Sequence, residues 1–301
     1  MIRAMSETDS LSALAWLVDA GADEAVLEEP VDRFVVKPNP PLEGGGRNSD
    51  RPSKKPTAFS GKGTQPSQPD PSPKFAAQIS TLPQGEGAHA ASTTDPIGSA
   101  MEMAAACNTL AELKAALEAF EGCALKKGAA NTVFADGTPA KHILFIGEAP
   151  GAEEDRRGLP FVGRAGKLLD KMLEAIGLSR AENVYITNVL NWRPPGNRDP
   201  DPTEVAMCIP FLRRHIELVD PGIVVLLGKV AVKNVAGIGE GIMATRGRWL
   251  QYFVNGRMVP VMPTLHPAYL LRQPAHKKLA WRDLQAVDEK IRALDLLGTA
   301  Q

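Results

Sequence analysis

The chain has 301 residues and a formal net charge of −1. That length accommodates one core of ordinary size plus extra segments. No apolar run approaches the ~18 residues of a membrane span, and three cysteines, Cys107, Cys123 and Cys208, are too few and too scattered for a disulfide framework. The near-zero charge argues against global electrostatic capture of nucleic acid, but it is an average. Residues 1–100 hold 9 Lys/Arg against 13 Asp/Glu, which leaves 25 against 22, a net +3, of the whole chain's 34 and 35. Any contact with DNA is therefore expected to be local. The first nine residues carry one base and then acids, unlike a secretory leader. With so few cysteines, a reducing cytoplasm is the expected home.

In chain order, Ser10 to Ala20 reads as a short helix. Leu11, Leu14, Leu17 and Val18 share a face, and Gly21 can end it. Residues 1–36 form this helical segment, a candidate for contact with a protein partner. Residues 37–100 are rich in Pro, Gly, Ser, Gln and Lys, with few aliphatics. They cannot bury enough apolar surface to offset their ordering entropy, so a disordered linker is expected. The folded domain is expected over 101–301, with its first helix near Asn108. Asn108 or Thr109 caps Leu110–Phe120. Four apolar strands, 142–146, 184–188, 223–227 and 259–264, then alternate with helices. Leu168, Leu169, Met172, Leu173 and Ile176 give the first intervening helix its apolar side. Asp201-Pro-Thr-Glu204 is a capping box opening the second, with Pro210 expected to bend it. Gly228 to Val235 opens a third. This alternation predicts an α/β fold: three α/β/α layers around a central four-stranded parallel sheet.

The densest run of unusual residues follows the first strand: Gly147-Glu148-Ala149-Pro150-Gly151, then Glu154, then Gly158-Leu-Pro-Phe161-Val-Gly163. Open α/β sheets bind ligands at such strand ends. A second short signature, His266-Pro-Ala-Tyr269-Leu-Leu271-Arg272, lies behind the last strand. Residue by residue, ordinary roles compete with chemical ones. Glu148 serves as a turn cap or a catalytic carboxylate, and Glu154 as surface charge or a site group. Phe161 is a core ring or a stacking face, Asn188 a turn cap or an edge reader, and His266 a structural or a catalytic imidazole.

Together the two signatures resemble the active-site motifs of uracil-DNA glycosylases, most closely the family 4 type, over about two thirds of the chain from Thr109 onward. The resemblance implies a cytoplasmic, monofunctional glycosylase that flips uracil out of DNA and hydrolyses its N-glycosidic bond. Glu148 would orient water, and Glu154 would lie beside the C5 edge of uracil. Ala149, Phe161 and Asn188 would bind the base, with Phe161 stacking and the Asn188 amide matching N3–H and O4. His266 would bond O2 as charge builds there. Gly163, Arg193, Arg198, Tyr269, Leu271 and Arg272 would meet DNA. Arg272, Lys277, Lys278 and Arg282 would form a phosphate-binding strip. The loop from Arg193 to Arg198 has no His, so no covalent product complex is expected.

The chain departs from the family at its cofactor. Family 4 members usually hold a 4Fe–4S cluster on four cysteines. Here only Cys123 and Cys208 stand at such positions, Lys126 and Trp192 occupy the others, and no cluster or other metal is expected. Two rivals stay open: a non-catalytic DNA- or partner-binding module on the same fold, and a glycosylase for another deaminated base.

Overall fold

The computed structural model describes residues 95–298. The Ser10–Ala20 helix and nearly all of the linker lie outside the described residues. The linker reading overruns at its C-terminal end. Asp95 is the N-cap of α1 (Pro96–Ala105), its carboxylate accepting from the Ile97 and Gly98 N–H groups, with Pro96 at the first helical position. Ala100 and Ala104 are buried. The helix was missed because its inward face is Ala, which gives almost no apolar periodicity.

Thr109 caps α2 (Leu110–Ala119), and α3 (Ala124–Gly128) follows. The chain then runs through β1 (Asp136–Gly137), β2 (Ile143–Gly147), α4 (Ala152–Arg157), α5 (Arg164–Glu174) and β3 (Tyr185–Asn188). Next come α6 (Pro202–Val219), β4 (Ile223–Leu227), α7 (Lys229–Ala236), α8 (Ile242–Thr245), β5 (Leu250–Val254), β6 (Arg257–Thr264), α9 (Pro267–Arg272) and α10 (Lys277–Ala293). The capping box at α6 forms as read, and the helix continues across Pro210.

The sheet has six strands in the order β1-β3-β2-β4-β6-β5. Its centre is the expected four-stranded parallel set. Two antiparallel edge strands extend it: β1 beside β3, and β5 beside β6. The central strands are buried on both faces, so their alternate side chains feed two cores. Leu144, Ile146, Val224, Leu226 and Val261 pack toward α1, α2, α6 and α7. Ile143, Phe145, Ile186, Val225 and Met262 pack toward α5, α9 and α10. The layers are thus α/β/α. From β2 the chain passes to β3 on one side and then crosses to β4 on the other. That reversal opens a crevice at the C-terminal ends of the strands.

Candidate active site

The crevice is a cleft of about 400 Å³. Glu148 and Ala149 enter it just past β2, Asn188 from the end of β3, and His266 from two residues past β6. Glu154 and Phe161 arrive from the segment between β2 and α5, Arg198 from the loop before α6, and Tyr269 and Arg272 from α9. The remaining expected residues stand elsewhere. Gly163 caps α5. Arg193 donates from Nε to Asn197 Oδ1 at 2.8 Å. Leu271 is part-exposed on α9, outside the cleft lining.

Phe161 and Asn188 form a narrow slot over Gly147. A Cβ on Gly147 would lie 2.4 Å from both Phe161 Cζ and Asn188 Oδ1. Only a residue without a side chain lets both groups approach the strand end this closely. Asn188 is buried, and its Oδ1 is the one fully buried side-chain N or O atom without a hydrogen-bond partner among the described residues. A buried acceptor left unmade costs stability unless a ligand satisfies it.

His266 is half-buried at the N-cap of α9, its ring centroid 5.5 Å from that of Phe161. Its Nδ1 accepts from the Ala268 N–H at 3.1 Å. Burial, and then the nearby positive charge of Arg272, lower its pKa to about 4. The ring is therefore neutral at pH 7, and with Nδ1 an acceptor its proton sits on Nε2. Glu148 is shifted the other way. Burial first, then the charge of Asp199, raise its pKa, while Arg272 and Lys229 pull it down. Asp199 and Lys229 were not singled out from the sequence. Lys229 follows Gly228 directly after β4, so the rule that ligands gather at strand ends pointed to it.

Glu154 lines the cleft and is held there by backbone donors. Its carboxylate accepts from the N–H groups of Gly151 at 3.1 Å, Val162 at 3.0 Å and Gly163 at 2.7 Å. It fastens the Phe161 segment. Arg198 is likewise engaged, by the Glu204 carboxylate of the α6 capping box. The expected phosphate strip is interrupted, because Lys277 is buried while Arg272, Lys278 and Arg282 are exposed. Tyr269 donates or accepts through its hydroxyl with His276 Nδ1 at 2.7 Å, and the two rings stack.

The family model of the Uracil DNA glycosylase superfamily matches residues 134–285. A type-4 uracil-DNA glycosylase of Sulfurisphaera tokodaii is 38% identical over 187 residues, 60% of this chain and 84% of that protein. One from Saccharolobus solfataricus is 41% identical over 174 residues, 56% and 80% of the two chains. One from Thermotoga maritima is 43% identical over 156 residues, 52% and 79%. The chain belongs to the uracil-DNA glycosylase superfamily.

The iron–sulfur cluster of family 4 does not fit the residues present. Cys123 and Cys208 are buried and hydrogen-bonded to each other, which draws the Cys123 thiol down to about 7 and pushes that of Cys208 up. Lys126 pairs with Glu121 and donates to the Glu118 carbonyl. Trp192 is buried, its Nε1–H donating to Thr132 Oγ1 at 3.0 Å. Among the described residues no group of three or more ligating His, Cys, Asp or Glu side chains exists. Cys107 is apart from the pair, its thiol donating to the Met103 carbonyl. Two thiolates do not supply the four such a cluster takes. No helix of the described residues is long and apolar enough to cross a membrane.

Proposed function

We propose that this protein is a monofunctional uracil-DNA glycosylase that receives an extruded uracil in the Gly147–Phe161–Asn188 slot. The observation that carries this reading is the unpartnered Asn188 Oδ1, a buried acceptor beside an aromatic face. Uracil offers N3–H to that oxygen and O4 to the amide N–H, whereas cytosine presents the reverse pattern. Phe161 supplies the flat partner that replaces stacking in the duplex. The Nε2–H of neutral His266 then meets O2, where negative charge gathers as the bond from C1′ to N1 breaks. The Glu148 carboxylate orients a water molecule. The water oxygen bonds to C1′ and its proton passes to solvent or to the departing base. The DNA strand stays uncut. Arg272 and the start of α9 are suited to the phosphates and to the gap left in the duplex, Leu271 being the exposed apolar side chain there. Arg193 and Arg198 are positioned by Asn197 and Glu204 and present their remaining N–H donors to DNA, and Glu154 acts by holding the loop. No step needs a metal or organic cofactor, consistent with the two-thiol set.

Release of free uracil from uracil-containing oligonucleotides tests the reading, with hypoxanthine and xanthine substrates as competitors. Asn188→Asp places an acceptor where O4 needs a donor, so it is expected to slow uracil release and relax selectivity. Normal release by that variant refutes the role of Asn188. Binding without any base release from the wild-type chain favours a non-catalytic module.

A further inference from the structure

Phe161 is buried, yet its backbone has φ of +54°, the left-handed region that aromatic side chains rarely adopt. Something outside the residue must hold it there. Arg180, in the loop before β3, occupies that position. Its Nη2 donates to the Phe161 carbonyl at 2.9 Å and its Nη1 to the Pro160 carbonyl at 3.1 Å. The same guanidinium donates from Nε to Asp170 Oδ1 at 2.9 Å, from Nη2 to Asp170 Oδ1 at 2.6 Å, and from Nη1 to Asp136 Oδ2 at 2.7 Å. A guanidinium has five N–H donors, and these contacts engage all five. The side chain is only 18% exposed. Gly166 closes the other side, since a Cβ there would lie 1.7 Å from the Phe161 oxygen.

We propose that Arg180, itself oriented by Asp136 and Asp170, is a positioning residue that clamps the Pro160–Phe161 backbone and so sets the width of the base slot. It touches no substrate. It fixes the two carbonyls on either side of the positive Phe161 φ and, through that backbone, the ring over Gly147. The inference rests on the proposed stacking role of Phe161 for its effect on excision, but not for its effect on the position of the ring. Lysine is not an adequate replacement, because three donors on one nitrogen cannot span two carbonyls and two carboxylates in one plane.

The test uses the full chain with 4-fluorophenylalanine incorporated, the Phe161 fluorine resonance being assigned by its loss in Phe161→Leu. Arg180→Met is expected to shift or broaden that resonance and to lower single-turnover uracil release about 10-fold or more, as for a reacting group displaced by under 1 Å. Arg180→Lys is expected to fall between Met and wild type. Affinity for abasic-site DNA, which has no base to stack, is expected to stay unchanged. Phe161→Ala combined with Arg180→Met is expected to be no slower than Phe161→Ala alone. An unmoved Phe161 resonance, or losses that multiply in the double variant, overturns the clamp. Unchanged release by Phe161→Ala would instead overturn the stacking reading, while the fluorine spectrum still judges the clamp. If Arg180→Met does not fold, Asp170→Asn weakens the same hold and is read by the same resonance.

Discussion

Gly147→Ala isolates the slot from everything else in the fold. Gly147 ends β2 in regular pairing with Asn188, and its backbone is open to alanine. The substitution therefore adds one methyl group and no backbone strain. That methyl would lie 2.4 Å from Asn188 Oδ1, 2.4 Å from Phe161 Cζ and 2.6 Å from Phe161 Cε2. Ordinary contact begins near 3.4 Å, so the ring and the amide must each retreat by about 1 Å. Overpacking of this size typically costs about 1–3 kcal/mol, a fall of roughly 2–12 °C in Tm for a domain of this size. A misplacement of about 1 Å in a substrate-positioning group can cost about 100-fold in rate. The expected outcome is a folded protein, modestly less stable, whose single-turnover uracil release falls about 100-fold. Gly128→Ala is the control, because a Cβ there meets nothing within 4 Å. Release within about threefold of wild type by Gly147→Ala, at unchanged Tm, would refute the slot.

Other expectations follow from the same geometry. His266→Ala and Glu148→Ala should each slow single-turnover release by about 10-fold or more, consistent with typical electrostatic and acid–base contributions. The buried imidazole of His215 and the half-buried one of His266 have pKa values lowered to about 3 and about 4 from 6.5. The unfolded chain thus binds more protons between pH 6.5 and those values. Tm should fall as pH drops through that window, and His215→Gln should flatten the decline; an equally steep decline in the variant would count against it. Protein purified anaerobically should lack stoichiometric iron and sulfide, and Trp192→Ala should cost about 3–5 kcal/mol in a denaturant titration, as for a fully buried indole. Deleting residues 1–93 should leave release from short oligonucleotides within about twofold, since that segment has little core-forming capacity; extending the deletion through Ala105 should lower Tm, because it removes the buried Ala100 and Ala104.

The parallel centre of the sheet was legible because its strands are short, mostly apolar runs that alternate with amphipathic helices, the pattern of a sheet covered on both faces. The edges were less legible, for different reasons. β1 is two residues long and carries no pattern. β5 alternates, with Gln251 and Phe253 exposed between Leu250, Tyr252 and the buried Val254. It then turns through Asn255-Gly256, both at positive φ, into Arg257. Asn-Gly between alternating residues is a strong hairpin signal, so this strand was readable and was missed. In the site, Phe161, Asn188 and His266 were marked by their motifs. The hold of Glu154 on Val162 and Gly163, and of Arg180 on Phe161, depends on the chain folding back on itself. No local pattern announces such contacts, because the donor and acceptor come from different elements, Glu154 from α4 and Arg180 from the loop before β3.

One backbone contact joins structure and chemistry at His266. The Ala268 N–H that caps α9 occupies Nδ1, and the helix start is satisfied only while that nitrogen is an unprotonated acceptor. Burial and the charge of Arg272 enforce the same state. A protonated imidazole would break the cap and face a cation. The contact that begins the helix thereby also assigns the remaining proton to Nε2. On the proposed mechanism that proton is the donor to O2. A neutral donor fits the task, because it stabilises charge that develops on the leaving base without binding an anion tightly beforehand. The local fold and the proposed chemistry therefore require the same tautomer of His266.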